Sequence, residues 1–97
     1  MPTYISLLNF TEQGIKDYKN TLERAQAAQD AIAAQGGSLR DVYYTIGPYD
    51  VVTVVDFPDD ETATAFLLKL GSLGNVRSTT MRGFSRDEFS GVIEKAG

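Results

Sequence analysis

Two segments of this chain, residues 3–10 and 49–57, are rich in β-branched and aromatic types and read as strands that are apolar on both faces. In the first, Tyr4, Leu8 and Phe10 fall on one side and Ile5 and Leu7 on the other. In the second, Tyr49, Val51, Val55 and Phe57 oppose Val52 and Val54. Such strands belong in the middle of a sheet that is covered on both sides. Ninety-seven residues, 42% of them hydrophobic, suffice for one domain, residues 1–97, with a single core. One layer of helices covers one face of the sheet. The other face needs a cover from somewhere else.

The remaining segments supply that helical layer and the outer strands. Thr11 is a good N-cap, with Glu12 in the first turn of a short helix carrying Ile15 and Tyr18. Asn20, three residues before Glu23, resembles a second cap, and Leu22, Ala25, Ala28 and Ile32 form one apolar stripe at helical spacing. Gly36-Gly37 ends that helix. A strand over 38–46 pairs with 49–57 as an antiparallel hairpin about Gly47-Pro48. Asp59 caps the next helix, whose buried face is Ala63, Phe66, Leu67 and Leu70 and which stops at Gly71 or Gly74. A strand over 75–84 follows, and Ser85-Arg86-Asp87-Glu88 is a capping box for a terminal helix bearing Phe89, Val92 and Ile93.

The order β-α-β-β-α-β with an extra C-terminal helix is the split pattern of an α+β, ferredoxin-like antiparallel sheet with helices on one face. Strands one and three are central in that topology. Strands two and four, more polar at Arg40, Asp41, Arg77, Ser78, Thr79, Thr80 and Arg82, lie at the edges. An uncovered apolar face marks an interface, so the expectation is a homodimer packed sheet against sheet. The terminal helix is the competitor, because it could fold over the open face within one chain.

Composition narrows the chemistry. With no cysteine and no histidine there is no disulfide, thiolate nucleophile, imidazole base or histidine-ligated metal, and no cofactor is implied. A net charge of -4 argues against nucleic acid as a partner. No stretch approaches the roughly 20 apolar residues of a membrane span, and no basic-then-apolar leader opens the sequence, so a cytoplasmic protein without a membrane partner is expected.

Several blocks of the sequence resemble the GYD domain family of small bacterial and archaeal proteins: Met1-Pro2-Thr3-Tyr4, Asn9-Phe10-Thr11-Glu12-Gln13-Gly14-Ile15, Gly36-Gly37, Leu70-Gly71-Ser72-Leu73-Gly74-Asn75-Val76-Arg77 and the Phe84-to-Phe89 segment. The naming motif departs from its usual form and reads Gly47-Pro48-Tyr49-Asp50. The resemblance implies a dimeric α+β barrel of ferredoxin-like kind, with no established activity. The chemistries of monooxygenases and isomerases sharing that architecture attach to it by fold analogy alone.

Candidate site residues follow from what composition leaves. Asp50 is a potential general base, with Tyr49 or Tyr43 as its acid–base partner; the alternative is that Asp50 bonds turn amides or pairs with an arginine. Tyr4 and Tyr44 are candidates for lining a ligand pocket, and Arg77 for anchoring a carboxylate, against ordinary packing or an ion pair. Gly71, Gly74 and Asn75 follow a helix, where the dipole disfavours an anion, so they read as a C-cap rather than a phosphate loop. Asp59, Asp60 and Glu61 read as helix capping rather than a metal site. Two functions remain open. One is a homo-oligomeric binding or assembly module for a small, mostly apolar ligand. The other is a cofactor-independent isomerase or monooxygenase using Asp and Tyr. The lack of a side chain that ordinarily titrates near neutral pH favours the first.

Overall fold

The computed structural model describes all of residues 1–97. Strand β1 (Thr3–Phe10) is central and pairs antiparallel with β3 (Val51–Asp56) on one side and β4 (Val76–Gly83) on the other. Strand β2 (Ser38–Tyr44) closes the far edge beside β3, giving the order β2-β3-β1-β4. The doubly apolar segments are thus the two inner strands, as their pattern requires. Both hairpin strands stop short of the predicted ends: residues 45–50 form a loop in which Ile46 is fully exposed and Gly47 has a positive φ. A register shift between Leu39 and Asp41 turns Val42 and Tyr44 to the side facing the helices and Tyr43 to the other.

Helix α1 (Glu12–Lys16) is capped by Thr11, whose hydroxyl accepts from the Gly14 amide at 3.1 Å. A 3-10 turn over Tyr18–Asn20 leads into α2 (Thr21–Ala34). Asn20 makes no side-chain capping bond; its amide donates instead to Asp17 at 2.7 Å. Leu22 is 72% exposed and lies off the buried stripe, which is carried by Ala25, Ala28 and Ile32. The helix ends where Gly36 turns left-handed and the Gly37 amide returns to the Ile32 carbonyl. Helix α3 (Asp60–Ser72) is capped by Asp59, which accepts from the Thr62 amide, and it runs through Gly71 to stop at Gly74. Helix α4 (Arg86–Ala96) begins with the full Ser85/Glu88 capping box.

The core lies between the sheet and α2 and α3: Tyr4, Ile32, Val55, Phe57 and Ala63, with Leu39 and Phe66 packed against them. Phe57 sits edge-on to Tyr4 at 5.9 Å and beside Phe66 at 5.4 Å. Burying an aromatic or branched side chain of this size stabilises by about 2 kcal/mol. Only 9 of 97 residues are buried, so the layer is thin and much apolar surface remains outside it. The radius of gyration, 14.5 Å, exceeds the ~12.5 Å of a compact chain of this length. Helix α4 extends away from the body, and none of its residues is buried. It does not cover the open sheet face.

Candidate functional site

Inner-face residues of β1 alternate Tyr4, Ser6, Leu8, Phe10, and they form the floor of an open hollow of about 270 Å³ beneath α2 and α3. The hollow exists because α2 faces it with alanines. Ala25, Ala28 and Ala31 end at Cβ and leave the gap that leucines would fill. Phe66 and Leu70 of α3 form the opposite wall.

The lining is mostly apolar, with Thr21, Arg24, Lys69 and Asn75 among its residues and a hydroxyl cluster on its floor. Ser6, 5% exposed, shares a hydrogen bond with Thr80 across the β1–β4 pair, hydroxyl to hydroxyl at 2.8 Å, and Thr53 stands beside Ser6 on β3. Two hydroxyls bonded to each other keep one proton and several lone pairs free, so the floor can meet one polar atom of an otherwise apolar guest. The sequence carries a signal for this spot: Ser6 is the one polar residue among the inner-facing positions of β1, opposite threonines in both neighbouring strands.

Each end of the hollow is tied. At one end the Tyr4 phenol donates to the Asp60 carboxylate, with Thr64 and Arg82 alongside. Burial, and then the hydrogen bond to Asp60, push the phenol up to about 12. Tyr4 therefore stays neutral through the physiological range and serves as a donor already engaged. Asp60 belongs to the acidic run, yet it holds this tyrosine, while Asp59 does the capping. At the other end Arg24 lies over the Phe10 ring at 5.8 Å and donates to the carbonyls of Asp17 at 2.8 Å and Gly14 at 3.1 Å, paired with the Asp17 carboxylate. One guanidinium thus joins α1, the 3-10 turn and α2 over the floor.

Of the residues singled out from the sequence, Tyr4 and Tyr44 line the hollow. Asp50, Tyr49 and Tyr43 do not. The Asp50 carboxylate accepts from the Phe10 amide at 2.9 Å and its own amide donates to the Leu8 carbonyl, extending the β1–β3 ladder. The bond goes to a strand amide rather than to the turn amides expected. Tyr49 gives its carbonyl to the Thr45 hydroxyl in the hairpin loop, and Tyr43, 62% exposed, points to the opposite face. Arg77 lies outside the hollow and reaches the Gly71 carbonyl near the end of α3, a place that suits a cation. The Leu73–Asn75 turn is clasped by α1: Gln13 donates to the Leu73 carbonyl and the Asn75 side chain, and the Thr11 amide donates to the Asn75 carbonyl.

No helix is long and apolar enough to cross a membrane. The GYD domain model matches residues 4–93. A relative from Thermus thermophilus, named "Glutamine synthetase and cystathionine beta-lyase binding protein", is 34% identical over 83 residues, covering 84% of this chain and 86% of its own. Among solved structures, TTHA0845 from Thermus thermophilus superposes with a TM-score of 0.56 at 29% identity, over 88% of this chain and 95% of its own. MtbAldR superposes with a TM-score of 0.68 at 16% identity, over 88% of this chain. This chain spans 52% of that structure's length, and the likeness is one of fold.

Proposed function

The chain belongs to the GYD domain family, and we propose that it is a homo-oligomeric binding module whose hollow receives a small, mostly apolar molecule bearing one hydrogen-bonding group. The observation that carries this reading is the alanine-walled hollow of about 270 Å³ with the Ser6–Thr80 hydroxyl pair on its floor. Ligand sites are concave, largely apolar and furnished with few polar groups. Binding is favoured over catalysis because the Tyr4 hydroxyl is already donated to Asp60, while Asp50 is engaged by a strand amide outside the hollow. The working unit is a homodimer joined through the bare sheet faces. Native mass spectrometry on protein from its own cells tests the reading. A small adduct, removed by organic solvent and replaced by an added apolar probe, is expected. A bare chain that takes up no apolar probe overturns it.

A second reading, docking onto other proteins, is favoured by the name of the Thermus relative and by the fully exposed Ile46 at the hairpin tip. The two readings are compatible, since the hollow and the hairpin tip are separate surfaces. Calorimetric titration with glutamine synthetase or cystathionine β-lyase of the same organism tests the second: binding lost in Ile46→Asp supports it, and no heat with either enzyme counts against it.

A further inference from the structure

Helix α4 carries Phe89, Val92, Ile93 and Ala96 at i, i+3, i+4 and i+7, one continuous apolar stripe. Phe89, Val92 and Ile93 are exposed, and Phe84 at the helix entrance lies edge-on to Phe89 at 6.5 Å with the Arg82 guanidinium over its ring at 4.4 Å. The Ser85/Glu88 capping box sets the helix direction two residues after β4 ends, and along that direction no residue of the helix is buried by its own chain. The second unpartnered surface is the sheet face away from α2 and α3. There Ile5, Leu7, Val52 and Val54 sit between Tyr43 and Met81, and the Thr3–Asp56–Arg40 bonds form a polar rim at one end.

Area decides what these two surfaces do together. Four strands of six to eight residues, about seven on average, present a face of roughly 450 Å². A stable interface buries about 800 Å² per partner, so the sheet face alone falls short. Laying each α4 on the other copy adds the stripe of one protomer and the ground it covers on the other, which brings each share to roughly 750 Å². A membrane surface is the poorer occupant, because α4 carries three acids and only two bases. We infer that α4 is an exchanged arm: in the homodimer, each terminal helix lays its Phe89–Val92–Ile93 stripe on the second copy of the chain, beside the paired sheet faces. The arrangement is isologous, so one stripe and one face serve both copies.

This inference rests on the homodimer reading, and sedimentation equilibrium on full-length chains separates the two. The wild type is compared with Val92→Lys/Ile93→Lys, which keeps the helix length and the cap, far-UV circular dichroism serving as the check on folding. A wild-type dimer whose dissociation constant rises at least a hundredfold in the doubly substituted, still folded chain is the expected result. A dimer equally tight in both overturns the exchanged arm and leaves the homodimer standing. A wild type that stays monomeric at high micromolar concentration overturns both. If the double variant unfolds, Phe89→Ser supplies the same comparison with a single change.

Discussion

The Tyr4 phenol donates its hydrogen bond to Asp60, which ties the central strand to the first turn of α3 across one end of the hollow. The pairing gives a buried tyrosine its partner and fixes the wall carrying Phe66 and Leu70 relative to the floor.

That pairing makes stability sensitive to alkaline pH. The folded value, about 12, lies above the unfolded one, which is about 10. The native state therefore holds the proton more tightly. The contribution is complete below the unfolded value and is lost as pH rises through the window from the unfolded to the folded value. Denaturant midpoints measured across that window are expected to fall more steeply for the wild type than for Tyr4→Phe, which has no proton to lose there.

Gly14 and Asn75 touch through their backbones. A Cβ on Gly14 would stand 2.0 Å from the Asn75 carbonyl oxygen. In an ordinary helix Gly→Ala stabilises by about 1 kcal/mol. Here Gly14→Ala is expected to cost about 1–3 kcal/mol, the range for overpacking. Thermal unfolding decides it by sign alone.

Asp50 is expected to behave as a structural residue. Asp50→Ala leaves the Phe10 amide without its partner and is expected to cost about 1–2 kcal/mol. Affinity for an apolar probe is expected to stay within twofold of wild type, because Asp50 is not part of the hollow. Paired unfolding and fluorescence titrations check both halves.

The hydroxyl pair on the floor is expected to act as a unit. Ser6→Ala strands the Thr80 hydroxyl and is expected to cost about 1 kcal/mol, and adding Thr80→Val to give little further loss. A double-mutant cycle in denaturant measures the coupling. A ligand with one hydroxyl or carbonyl is expected to lose affinity in both variants more than a pure hydrocarbon does.

The fold was legible because its signals are local and redundant. The doubly apolar strands fix the sheet centre, and Thr11, Asp59 and Ser85 each cap the helix that follows them. Asn20 does not cap because its backbone, at φ -97° and ψ 12°, lacks the extended conformation that aims a cap oxygen at the helix amides, and its side-chain NH2 donates to Asp17. Leu22 misled because the stripe on α2 is narrow and set by alanines, so an isoleucine near the far end is buried and a leucine near the start is not. The hollow itself was not legible. It arises from what α2 lacks, and an alanine in a helix reads as propensity before it reads as space. Alternation puts Tyr43 and Tyr44 on opposite faces of β2, but only the shift at Leu39/Asp41 decides which of them faces the helices. Asp50 was visible as a turn residue. Its partner, forty residues away on β1, was not.

The alanine-walled hollow is the proposed binding site. Its most direct test is a fluorescence titration with the apolar probe N-phenyl-1-naphthylamine, comparing the wild type with Ala28→Phe. The phenylalanine fills the space beneath α2 and leaves the rest of the surface as it was. Saturable binding to the wild type, weakened about tenfold or more (~1.4 kcal/mol) in Ala28→Phe at unchanged unfolding temperature, is the expected result. Equal affinity in the two proteins would contradict the account, because the probe would then be held somewhere else.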